Sequence, residues 1–368
     1  MKCRAAVLTA PSTEMTIEEI EIGELDPGEV LVRIGAAGLC HTDLEVISGQ
    51  LAYPMPIVLG HEAAGTIEQV GAGVDPQRVG DQVVLSWNPH CGRCFHCTRG
   101  DPILCEHYVA LGPKAVPFSG RAKLHLGGRP LHTMFYMSAF AEYAVVTDAC
   151  AVPIPREVPV DCACLLGCGV LTGVGAATRI AGMRHGDTAM VIGCGAVGLS
   201  AVQGARLAGA RQIVAVDLDD RKLATARLLG ATHVVNARHE DPVVAGREIT
   251  EGRGADCVVE SAGSEHAFRA SVEACRAGGR VVWLGKVGVN DEVAFRWGSL
   301  MGEKRFTRSS YGGAHTATDF PWLARSYLEG ELKLDEMITQ RLRLDDINSG
   351  FDDLRDGQAI RSVVLFDH

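Results

Sequence analysis

Four cysteines fall within one short stretch, Cys91, Cys94, Cys97 and Cys105, with the spacing C-x2-C-x2-C-x7-C. Thiolates are soft ligands, and four at this spacing can converge on one tetrahedral zinc ion. A closed shell of four sulfurs leaves no position for a substrate, so such a metal would be structural. Two other chemistries use the same residues. An iron–sulfur cluster also takes four cysteines, and a pair of disulfides is possible but fits a reducing compartment poorly. Zinc is the favoured reading. His90, His96 and His107 stand nearby, yet four sulfurs complete the tetrahedron without them.

A second stretch with chemistry in it is Thr188–Asp217. AMVI reads as a buried strand, Gly193, Gly195 and Gly198 as a turn, and Val197, Ala201, Ala205 and Ala208 as one face of the helix that follows. IVAV is a second strand ending on Asp217. The first glycine makes the tight turn, the second lets a pyrophosphate approach the backbone, and the third lets helix pack on strand. The helix N-terminus offers free N–H groups and a partial positive charge to phosphates. Three such glycines alone are a weak signal in a chain with 43 of them. The flanking strands and helix make it specific. So does an acidic residue 19 positions beyond Gly198, near the expected interval of about 20. A carboxylate there accepts hydrogen bonds from both ribose hydroxyls and repels a 2′-phosphate, which selects NAD over NADP.

These residues need two architectures to hold them. At 368 residues the chain has room for two ordinary domains,. Residues 1–87 are β-rich, with short apolar or alternating runs between Pro and Gly turns. Residues 88–110 form the cysteine lobe, and 111–137 read as a long polar, glycine-rich surface loop. A small-residue segment from Ala163 to Ala181 predicts a helix leading into the nucleotide domain. Beyond Asp217, strands and helices alternate through GRVVWLG to a sixth strand in RFTRSSYGG. Two amphipathic helices and the strand IRSVVLF close the chain and are expected to rejoin the N-terminal β domain. A net charge of −10 argues against nucleic acid or an anionic membrane as partner,. No apolar run is expected to span a bilayer, and the N-terminus lacks a secretory signal, so a cytoplasmic location is expected.

Further motifs then carry a family resemblance: GLCHTD at 38–43, GHEAAG at 60–65, GCGVLTGVG at 167–175, GCGAVG at 193–198 and AIRSVVLF near the end, together with the cysteine lobe. Over essentially its whole length the chain resembles the zinc-dependent medium-chain alcohol dehydrogenases. The resemblance implies an α/β fold: a GroES-like catalytic domain over 1–170 and 313–368, and a doubly wound, Rossmann NAD-binding domain over 171–312. It also implies a second, catalytic zinc held by Cys40, His61 and Cys168. That Cys2His set with one open position is the one known for alcohol dehydrogenases.

Glu62 resembles the carboxylate beside that metal, and Asp43 the one that fixes the ligand imidazole. Thr42 takes the position of the hydroxyl that accepts the alcohol proton, while Glu45 stands where relatives end their proton relay on a histidine. His41 and Arg361 match pyrophosphate contacts, Lys222 an adenosine-ribose contact, Thr172 the nicotinamide side, and Val197 lies within the glycine turn. Trp87 matches a substrate-facing position.

The expected activity is reversible NAD-dependent oxidation of a primary alcohol to an aldehyde with two Zn2+ per chain. A thiol-dependent formaldehyde dehydrogenase and a non-catalytic NAD-binding protein are the alternatives. Val109 stands where glutathione-dependent relatives carry an arginine for the adduct's carboxylate, and Arg121 is another source of that charge. Polyol dehydrogenases carry a carboxylate at the position of Cys168, which disfavours that branch. The length of 111–137 resembles that of dimeric relatives, and a homodimer is expected.

Overall fold

In the computed structural model, which describes residues 1–367, the chain divides into two compact units. One joins Met1–Cys168 to the segment from His315 onward, and the other is Gly169–Ala314.

The first unit is organised on the strand Glu29–Gly38, which is buried along nearly its whole length. It pairs antiparallel with Ala63–Val70, Tyr143–Thr147 and Arg361–Leu365. The last of these also pairs with Ile338–Arg343, so the C-terminal tail adds two strands to the N-terminal sheet. A second sheet is built around Lys2–Leu8, between Thr16–Ile22 and the short strand Ile57–Val58. Leu8, Val32, Ile34, Ile57, Phe140 and Phe351 pack in one core between these layers.

Residues 111–137 are more ordered than a surface loop. Leu124–Leu126 and Arg129–Pro130 form a hairpin that adds to Thr16–Ile22. Gly127 and Gly128 supply its turn with φ of +56° and +77°, left-handed backbone that non-glycine residues resist. Lys123 beside it is buried and paired with Asp26 and Glu29, each at 2.9 Å. Strands of two or three residues are too short for alternation to reveal them.

The second unit is a six-stranded parallel sheet. Numbered along the chain, its strands Thr188–Ile192, Gln212–Asp217, His233–Asn236, Ala255–Glu260, Cys275–Trp283 and Arg305–Arg308 lie in the order 3-2-1-4-5-6. This is the doubly wound arrangement that takes a dinucleotide at the switch between strands one and four. Its helices begin where the chemistry says they should. Asp219, Asp241 and Ser264 each accept a hydrogen bond from a backbone N–H of the first turn,.

One sequence expectation is corrected. The helical stretch Val160–Ile180 has 21 residues and holds an 18-residue window of mean hydropathy 1.7, long and apolar enough to cross a membrane. Of that window 78% is buried inside the protein, and the glycines of the stretch show why. An added Cβ would lie 3.1 Å from the Leu85 carbonyl oxygen at Gly167 and 2.2 Å from that of Val197 at Gly173. The apolar small-residue run is a packing surface for close backbone approach. The stretch is not a uniform α-helix, since Leu166–Val170 and Ala176–Ile180 are π-helical turns.

Candidate metal centres and nucleotide turn

Cys40 lies just beyond the strand Glu29–Gly38, at the N-cap of the short helix His41–Ile47. His61 follows Gly60, whose φ is +93° and whose added Cβ would strike the Phe140 backbone nitrogen at 2.6 Å. Cys168 lies in the first π-helical turn, a feature that often marks functional sites,. The donor atoms of Cys40, His61 and Cys168 all lie within 4.8 Å of one another. Tetrahedral zinc with ordinary bond lengths places such donors about 3.5–3.8 Å apart, so the set fits that ion. Three donors leave one coordination position open.

Asp43, fully buried, braces the centre. Its Oδ1 accepts from the Gly60 N–H at 3.0 Å and lies 3.2 Å from His61 Nδ1, while Oδ2 accepts from the Cys40 N–H at 3.2 Å. One carboxylate thus fixes both ligand segments and leaves His61 Nε2 for a metal. Burial opposes protonation of His61, but Asp43 and Cys40 raise its pKa well above the ordinary value. A hydrogen bond from Cys168, with His61 and Arg361 close by, holds the Cys40 thiol well below its ordinary range, while that same bond and burial push Cys168 up.

Beneath these ligands lies a second buried pair. Arg361 Nη2 donates to Glu62 Oε2 at 3.0 Å and Nη1 to the Leu39 carbonyl at 2.7 Å. Gly38 makes room for that carboxylate, because an added Cβ would lie 2.4 Å from Glu62 Oε1. Arg361, expected at a cofactor pyrophosphate, is thus only 3% exposed and engaged with residues next to Cys40 and His61.

An aromatic cluster reaches the ligand imidazole through Phe135. Phe135 meets His61 edge-on at 5.2 Å between ring centroids, and in turn packs on Trp87, tilted at 5.2 Å, and on Tyr53, edge-on at 6.2 Å. Tyr108 continues the cluster from Trp87. The sequence singles out Trp87 but not Phe135, which falls in the segment whose composition reads as a surface loop. The run MFYM was the available signal. Phe135, Tyr136 and Ser138 all have positive φ, of 43°, 66° and 59°, a cost of order 1–3 kcal/mol each that residues usually bear only where the surroundings impose it.

The lobe cysteines also converge, with the sulfurs of Cys91, Cys94, Cys97 and Cys105 all within 4.8 Å. Backbone N–H groups of Cys97 and Glu106 help to lower the Cys94 thiol to about 6, and the Cys91 N–H donates to Cys105 Sγ at 3.3 Å. N–H groups aimed at sulfur favour the thiolates that a structural zinc requires.

In the second unit, Gly193 has φ of +93° and donates its N–H to the Val216 carbonyl at 2.8 Å. An added Cβ at Gly198 would lie 1.8 Å from the Gly193 oxygen, whereas one at Gly195 would meet nothing within 4 Å. The third glycine therefore serves packing, and the second leaves open space beside exposed backbone, as a phosphate needs. Val197 is half-buried in the first turn of the helix Ala196–Leu207. Asp217 Oδ2 accepts from the Cys194 N–H at 2.6 Å and Oδ1 from Leu218 and Asp219 at 2.7 and 3.0 Å. The acid is thereby held at the turn. Lys222 is half-buried in the helix Asp220–Leu228, and Thr172 half-buried in Leu171–Gly175. His41 is exposed, and Thr42 and Glu45 half-buried, on the helix that Cys40 caps. Arg121 is ion-paired with Asp26, next to Lys123.

Residues 26–156 match the family described as alcohol dehydrogenase GroES-like domain, and residues 196–328 that described as zinc-binding dehydrogenase. The chain is 37% identical to S-(hydroxymethyl)glutathione dehydrogenase of Komagataella pastoris, over 99% of this chain and 97% of the relative. It is 38% identical to the NDMA-dependent alcohol dehydrogenase of Amycolatopsis methanolica, over 99% of each. The crystal structure of benzyl alcohol dehydrogenase from Acinetobacter calcoaceticus superposes with a TM-score of 0.94 at 32% identity, covering 100% of both chains.

Proposed function

Because the chain belongs to the zinc-dependent medium-chain alcohol dehydrogenase family, we propose that it reversibly oxidises a primary alcohol bearing an apolar or aromatic group, with NAD as hydride acceptor. The observation that carries the substrate reading is the aromatic cluster in which Phe135 packs on His61 and is itself flanked by Trp87 and Tyr53. A zinc ion held by Cys40, His61 and Cys168 would act as a Lewis acid on the alcohol oxygen. The chain's own residues do the rest. Asp43 holds the imidazole in one tautomer. The Thr42 hydroxyl accepts the alcohol proton. The aromatic rings keep water from the reacting carbon and favour hydrocarbon contact. Asp217 anchors the adenosine ribose and excludes a 2′-phosphate. The alcohol loses a proton and a hydride, and yields an aldehyde and NADH.

The name of the Komagataella relative favours a second reading, oxidation of the glutathione adduct of formaldehyde. That adduct needs a cation for its distal carboxylate. Val109 offers none, and Arg121 is spent on Asp26. A missing charged hydrogen-bond partner costs about 1.5–3 kcal/mol, or roughly ten- to a hundred-fold in preference. The test compares kcat/KM for benzyl and medium-chain alcohols with that for formaldehyde plus glutathione. A clear preference for the thiol adduct overturns the proposal.

A further inference from the structure

We infer that the second unit carries another anion site, separate from the glycine turn, for a small phosphate-bearing ligand. A cavity of about 270 Å3 opens between the loop after Ile180 and the last two strands of the sheet. Arg184, Arg280 and Arg305 line it, and no acidic residue does, in a chain whose net charge is −10.

The register shows how unusual this is. Arg280 and Arg305 are direct neighbours on adjacent parallel strands, as are Val282 and Thr307. With the side-chain period of two, all four share one face. Two like charges side by side repel unless something neutralises them. Arg280 is fixed by Asp187 at 2.6 Å and by the Gly182 carbonyl at 2.5 Å. The guanidiniums of Arg184 and Arg305 make no hydrogen bond or ion pair among the described residues, and both residues are exposed. One carboxylate is thus set against three guanidiniums. The deficit matches a dianion, and the planar guanidinium fork suits phosphate.

The cavity is not part of the nucleotide site. Ala189, at the amino end of strand one, is in register with Cys257, and Cys257 with Arg280. The cavity therefore lies toward the amino ends of the strands, whereas the glycine turn follows Ile192 at a carboxyl end. Dinucleotides bind outside the carboxyl ends. The volume, about 270 Å3, leaves room for a phosphate group with several more atoms.

Isothermal titration of the zinc-loaded protein at constant ionic strength, with inorganic phosphate and with glycerol phosphate, tests the site. One saturable site per chain is expected. Arg184→Ala and Arg305→Ala should each weaken it about ten-fold or more, the double variant should abolish it, and Arg305→Lys should restore part of it. Both side chains are exposed, so fold and alcohol turnover should be unchanged. Tighter binding of the ester than of free phosphate assigns a phosphorylated metabolite, and equal binding assigns free phosphate. Absence of saturable binding by either anion, or binding that persists undiminished in the double variant, as it would at the glycine turn, overturns the inference.

Discussion

Replacing Arg361 by methionine tests the brace under the proposed catalytic metal. The guanidinium is 4% exposed and the Glu62 carboxylate is fully buried, with 3.0 Å between them, and the same group caps the Leu39 carbonyl at 2.7 Å. Removing one member of such a buried pair costs about 3–5 kcal/mol, because the remaining charge loses its counter-ion away from water. For a unit of this size each kcal/mol moves the unfolding midpoint by about 2–4 °C, so Arg361→Met should lower the first unit's midpoint by roughly 6–20 °C. Leu39 and Glu62 adjoin Cys40 and His61 in the chain, so the zinc at that centre should also be lost more readily to a chelator. Calorimetry of the zinc-loaded variant reads the first effect and metal analysis after dialysis the second. The double variant Glu62→Leu with Arg361→Met should be well short of the sum of the single losses, since it removes both charges together. A midpoint drop of less than about 2 °C, or additive losses, would refute the reasoning. So would an unchanged midpoint with a raised KM for NAD, which would place the guanidinium on the cofactor instead.

Two zinc ions per chain are expected by elemental analysis. Cys168→Ser should abolish turnover while preserving the fold, and Cys97→Ser should destabilise the lobe; one zinc in active enzyme would contradict both. Asp217→Ser should raise NADP use relative to NAD, and a wild type that already prefers NADP in kcat/KM would end that argument. Burial raises the pKa of the Glu260 carboxyl despite N–H bonds from Gly263 and Ala262 to its Oε1. The folded state therefore binds this proton at a pH where the unfolded chain has released it, so the group's contribution to stability grows as pH falls through the folded pKa. Glu260→Gln should stabilise the protein at neutral pH and lose that advantage as pH falls through the raised folded pKa; a gain that does not vary with pH would show that ionisation is not the cause. Light scattering should give a dimer mass, and a tetramer mass would remove the inference drawn from the length of 111–137.

Much of the molecule is written locally. The cysteine lobe is legible because its four ligands lie within one turn-rich stretch. The glycine turn with Asp217 is legible because a single strand–helix–strand unit contains every residue of it. Strand alternation gives the second unit's sheet for the same reason. Other features exist only through distant contacts. Cys40, His61 and Cys168 are far apart in sequence, and resemblance alone proposed their grouping; the pairing of Glu29–Gly38 with Ala63–Val70 and the π-helical turn at Cys168 bring their donor atoms together. Phe135 joins the site through left-handed backbone that its residue type does not favour. The membrane-length run at 160–180 is buried because its glycines admit neighbouring backbone, which composition alone does not disclose. Arg361 and Glu62, and likewise Arg280 and Arg305, become partners or neighbours only when strands pair in register. Hydrogen bonding along the chain fixes local elements, whereas burial decides which charges meet, and burial is a property of the folded whole.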